Sequence, residues 1–122
     1  MKKILAIIGA TALLSAYASE QAHRPAPYRP LKGEYTIYSG DLDDQQAPTG
    51  SDRKLSFIIE GQAAKDIFNA MPPDDKQTCS EEKGARSRSK GNVWCTFNPG
   101  DGYTCYLGFD LKTGKSIAGG IC

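Results

Sequence analysis

Apolar residues alternate with polar ones in four stretches of this chain and recur at helical spacing in a fifth. Over residues 54–60, Leu55, Phe57 and Ile59 alternate with Lys54, Ser56 and Glu60, the period of two of a half-buried strand, with Ile58 as the exception on the polar face. Residues 34–39 predict a shorter strand with Tyr35 and Ile37 on one face and Thr36 and Tyr38 on the other. The period then changes, because Ala64, Ile67, Phe68 and Met71 fall at i, i+3, i+4 and i+7 and share one face of a helix that Pro72 and Pro73 stop. A helix this short forms only against a sheet, so those four residues are expected in the core.

The most specific pattern lies in residues 92–122. Residues 92–97 and 103–109 are alternating strands separated by Asn98-Pro99-Gly100-Asp101-Gly102, whose residue types favour a turn. Setting Phe97 opposite Tyr103 puts Cys95 opposite Cys105 and Val93 opposite Leu107 on one face. The same register puts Trp94 beside Tyr106 and Thr96 beside Thr104 on the other, all favoured cross-strand partners. A second turn at Lys112-Thr113-Gly114, read as a three-residue loop with a bulge, then sets Phe109 opposite Ile117 and Cys105 opposite Ile121. Cys122 thereby points away from the Cys95 face. The pairing that follows is Cys95 with Cys105 and Cys79 with Cys122; a one-residue shift of the last strand would favour Cys79 with Cys95 and Cys105 with Cys122.

The remaining stretches are aperiodic. Residues 40–52 read as a loop whose Asp41, Asp43 and Asp44 lack the glycine and terminal glutamate of a calcium-binding loop. Residues 72–90 read as a loop ending in a charged run, in which Arg86, Arg88 and Lys90 would share one side if extended and could meet an acidic partner. Residues 19–33 carry Pro25, Pro27 and Pro30 and read as an extended arm.

At the N-terminus, Lys2 and Lys3 precede an apolar run from Ile4 to Leu14 and small residues ending in Ala16-Tyr17-Ala18, the pattern of a secretory leader cleaved between Ala18 and Ser19. The run rises only about 16 Å as a helix, roughly half a bilayer's hydrocarbon core. No membrane span is therefore expected once it is removed. The site resembles a bacterial lipobox except that Tyr17 stands where the acylated cysteine belongs, so the expected product is an unacylated periplasmic or secreted chain. Losing Lys2 and Lys3 takes Lys plus Arg from 15 to 13 against 14 acidic residues, moving the formal charge from +1 to −1. That balance argues against a nucleic-acid partner. Four cysteines in an exported chain, none in a C-x-x-C pair, point to two structural disulfides and to no metal or cofactor.

Reactive groups are few. His23 is the sole histidine and sits in the proline-rich arm, where no scaffold would orient it as a base. Opposed cysteines such as Cys95 and Cys105 could carry redox chemistry, although a structural bridge is the simpler expectation. Trp94 and Tyr106, bordered by Arg86, Arg88 and Lys90, are the candidate partner-binding surface, unless the Cys79 loop or the N-terminal arm folds over them and buries both rings.

The expected organisation is a leader (residues 1–18), an arm (19–33) and one domain (34–122). Its expected fold is a two-layer α+β domain, four or five short antiparallel strands on one helix in the order ββαβββ. In leader, size and disulfides it resembles small exported envelope proteins and inhibitors of Gram-negative bacteria. The expected function is a non-enzymatic factor, of inhibitor or immunity type, that binds an envelope or extracellular protein. A structural envelope accessory protein and a thiol-redox or hydrolytic enzyme are the alternatives.

Overall fold

The computed structural model describes residues 26–122; the leader, its cleavage site at Ala18 and Ser19, Tyr17 and His23 lie outside them. Seven strands and one helix follow in chain order among the described residues: β1 (Lys32–Asp41), β2 (Asp44–Gln46), β3 (Lys54–Glu60), α1 (Gly61–Asn69), β4 (Arg86–Lys90), β5 (Val93–Asn98), β6 (Gly102–Asp110) and β7 (Ser116–Ile117). All paired strands are antiparallel, in the order β2-β1-β3-β6-β5-β4, with β7 sharing with β5 the edge of β6 away from β3. The α+β class is as expected. The four or five strands and the order ββαβββ are corrected, because a short β2 hairpin and the β4 edge strand enlarge the sheet.

Of the first hairpin's register, the pairs Trp94 with Tyr106, Cys95 with Cys105, Thr96 with Thr104 and Phe97 with Tyr103 form as the alternation requires. Gly102 takes a φ of 85° to close the turn, a conformation that favours glycine. Cys95 and Cys105 are joined and fully buried beneath Ala64 and Phe68 of α1, which with Ile59 and Met71 form the core. The helix has no side-chain cap at its N-terminus, so its stability comes from the buried faces of Ala64 and Phe68.

The last strand departs from expectation by one residue. The Asp110 N–H donates to the Lys115 carbonyl at 2.8 Å across a four-residue loop, and the Asp110 carbonyl accepts from the Gly114 N–H within it at 2.7 Å, so Phe109 meets Ser116 and Gly108 meets Ile117. Continued, that register would carry Cys122 onto the helix face. Instead the strand ends at Ile117 and residues 118–122 cross the opposite face of the sheet, where Ser56 Oγ donates to the Gly119 carbonyl at 2.7 Å and Cys122 bonds to Cys79. The expected pairing of cysteines is therefore present, reached by a different path.

The crossing depends on residues without side chains. A Cβ on Gly119 would lie 2.1 Å from the Leu107 carbonyl oxygen, and one on Gly108 would lie 2.7 Å from that of Ala118. Backbone blocks both. Gly119→Ala should thus cost about 1–3 kcal/mol by overpacking, whereas Gly50→Ala, with nothing within 4 Å, should be near neutral. Urea unfolding of the two variants against the parent checks the difference.

Candidate functional site

The sheet presents two unlike faces, and the register sorts each candidate residue that stands on a strand onto one of them. On the face under the tail, Glu34 and Thr36 of β1, Ser56 and Ile58 of β3, Thr104 and Tyr106 of β6, Trp94 and Thr96 of β5, and Ser87 and Ser89 of β4 follow from the cross-strand pairs. Trp94 and Tyr106 stack there, ring centroids 4.7 Å apart at 23°, a contact worth about 0.5–1.5 kcal/mol beyond area burial. Both rings are half-buried. Burial raises the pKa of the Tyr106 phenol, and the Glu60 carboxylate adds to the effect.

What covers them is a strap of two segments. Residues 75–79 are held to β4 by the Ser87 and Ser89 hydroxyls, which donate to one oxygen of Asp75 at 3.0 and 2.8 Å, and by the Asp75 N–H, which donates to the Ser87 carbonyl at 2.7 Å. Residues 118–122 form the other segment, and the Cys79–Cys122 bond fastens the two. A cavity of about 370 Å³ lined by Asp75, Ser89, Asn92, Trp94 and the disulfide remains open beside the indole. A smaller one of about 210 Å³ is lined in part by Asn98, whose buried Oδ1 has no hydrogen-bond partner.

Arg86, Arg88 and Lys90 are not beside the aromatic pair. They pair with Phe97, Cys95 and Val93 and therefore project from the helix face, on the other side of the sheet. The five candidate residues do not form one surface. Arg86 donates two bonds to Asp74 at 2.7 and 2.9 Å, and Arg88 a third at 2.8 Å. Their guanidinium carbons lie 5.0 and 4.4 Å from the centre of the Phe68 ring, within cation–π range. Arg88 also donates to the Phe68 carbonyl at 2.9 Å, placing a cation at the helix C-terminus. The charged end of the expected loop is thus corrected to an edge strand whose two arginines fasten the segment after the helix.

The helix face carries an open apolar surface outside the residues expected to bind a partner. Register aligns its residues in rows across the strands: Ile37, Leu55 and Phe109 in one, Tyr35, Phe57 and Leu107 in the next, and Gly33, Ile59, Cys105 and Cys95 in a third. Helix α1 covers Ile59, Cys105 and Cys95 of the third row, and Leu107 of the second packs against that cluster. Beyond it, Tyr35 is 69% and Ile37 43% exposed, while Leu55, Phe57 and Phe109 are half-buried and stand outside the core cluster. The signal was in the lengths: a nine-residue helix spans about 14 Å, whereas six strands side by side span about 24 Å.

No metal-binding cluster of three or more His, Cys, Asp or Glu side chains occurs among the described residues. The chain matches no protein-family model, no curated protein and no solved structure.

Two outcomes test this arrangement. Hydrogen bonds from Arg86 and then Arg88 lower the Asp74 pKa from the usual 3.8 to about 2, so its stabilising effect is complete above the ordinary carboxylate range and lost as pH falls through that interval. Asp74→Asn should melt lower than the parent at neutral pH, and the two melting temperatures should converge between pH 4 and 2, followed by circular dichroism. Separately, replacing both Cys79 and Cys122 by alanine opens a 43-residue loop worth about 4 kcal/mol in chain entropy. Because Trp94 is the sole tryptophan, its fluorescence should shift to the red as the strap lifts.

Proposed function

We propose that this chain is an exported, non-enzymatic protein that binds another protein through the bare half of its helix face. Support for export comes from all four cysteines standing in disulfides, a state favoured in oxidising compartments. No helix among the described residues is long and apolar enough to cross a membrane. The observation that carries the binding reading is the pair of apolar rows, Ile37-Leu55-Phe109 and Tyr35-Phe57, left open on a cross-linked sheet. Contiguous exposed apolar surface on a small domain marks an interaction site, and an aromatic centre on a rigid strand scaffold loses little entropy on docking. The stacked Trp94 and Tyr106 are the alternative anchor, with the cavity beside the indole as the point of entry.

The test is affinity capture from an envelope extract with the parent and three variants whose melting temperatures are compared in parallel. Ile37→Asp should reduce partner recovery at least tenfold without lowering the melting temperature, because Ile37 is exposed. Gln77→Asp, a charge on the strap side, should leave recovery unchanged. Recovery lost with Trp94→Ala but retained with Ile37→Asp would move the interface to the aromatic pair.

A further inference from the structure

The two edges of the sheet are finished differently. At the β4 edge the Ser87 carbonyl is occupied by the Asp75 N–H, and residues 74–79 run alongside. At the other edge β2 pairs only with Ser39–Asp41 of β1, so Lys32–Tyr38, which bond to β3 on one side, face no strand on the other among the described residues. An open row of backbone donors and acceptors is a template for strand pairing. The residues on and next to it are unusually exposed for their chemistry: Leu31 is 63% and Tyr35 69% accessible.

We propose that this edge pairs antiparallel with the same edge of a second copy, about a twofold axis at Gly33. The choice of register follows from which side chains meet. An axis at Glu34 would set that carboxylate opposite itself. An axis at Tyr35 would set Lys32 opposite Tyr38, which is buried, and Gly33 opposite Ile37. An axis at Gly33 sets Lys32 opposite the partner's Glu34 and Glu34 opposite the partner's Lys32, two opposite-charge pairs on one face. On the other face it sets Leu31 opposite the partner's Tyr35 twice, covering both exposed apolar groups at once. Only this register is complementary in charge and in apolar contact together.

Pro30 is compatible with the pairing, since it lies just before the strand, where a missing N–H is tolerated. The Lys32–Glu60 contact within one chain is 3.9 Å and largely exposed, so it competes little for the lysine. One strand against another makes an interface below about 1,200 Å², which belongs to weak or transient association. A dimer in the micromolar range is therefore expected. Such pairing takes Tyr35 from the edge of the apolar rows and leaves Ile37, Leu55, Phe57 and Phe109 open, so it does not require that anything bind those four.

Sedimentation velocity over a dilution series of the disulfide-bonded protein, up to about 1 mM, tests the proposal by its dissociation constant. The parent should dimerise, and Lys32→Glu or Glu34→Lys alone should each weaken dimerisation roughly tenfold, because each creates two like-charge pairs. An equimolar mixture of the two single variants should recover association at the parent's strength, since each then meets its complement. Both positions are exposed, so equal melting temperatures verify folding. A monomer at every concentration, as an edge already occupied by another segment would give, overturns the proposal. So does a dimer that the single reversals leave unchanged, or a mixture that does not recover.

Discussion

The architecture depends on one close approach, that of the Gly119 backbone to the Leu107 backbone across the middle of the sheet. A six-strand-wide sheet has two faces to shield and, among the described residues, one nine-residue helix to do it. Face-covering elements normally stand about 10 Å off a sheet because side chains intervene. Here glycines at positions 108 and 119 let bare backbone lie on bare backbone. The tail is fixed there by the Ser56 hydroxyl and the bond to Cys79, and Trp94 and Tyr106 are shielded in the process. A disulfide is suited to this, because a five-residue strap has too little apolar area to hold itself down.

The charged groups follow a similar economy of partners. Arg86 and Arg88 reach over Phe68 to grip Asp74. At the opposite corner Lys54 donates to the Gly40 carbonyl and pairs with Asp52, whose other bond is accepted from the Gly40 N–H. In both places an ion pair closes a segment without secondary structure onto a strand end. Tyr35 and Ile37 are then exposed apolar groups on the helix face that no ion pair or helix covers, which gives a nearly neutral protein its most distinctive surface.

How far the sequence was legible follows from what each element buries. The β5–β6 hairpin was readable to the residue because both of its faces are constrained, one by the helix and one by the strap. Helix α1 was readable from its stripe. Strand β4 was not, since its inward groups are serines satisfied by Asp75 on one side and arginine stems lying on Phe68 on the other, which leave no apolar period. Strand β7 slipped by one residue because a loop of four rather than three residues precedes it, and a two-residue strand has too few contacts to dictate the register. The candidate surface was hidden for a subtler reason: alternation shows which side of a strand is apolar, while the extent of its cover is a property of the whole sheet.

The two disulfides also impose an order in time. Cys95 and Cys105 are ten residues apart and opposed in a local hairpin, whereas Cys79 and Cys122 are 43 apart and meet only after the tail has crossed the finished sheet. Closing the longer loop costs about 1.3 kcal/mol more in chain entropy, and it has no template until β6 is in place. The hairpin is accordingly the bond to be oxidised first and the strap the last. Between those events the indole side of the sheet stands uncovered, so the interval between first and second oxidation is when a newly made chain is most prone to aggregate.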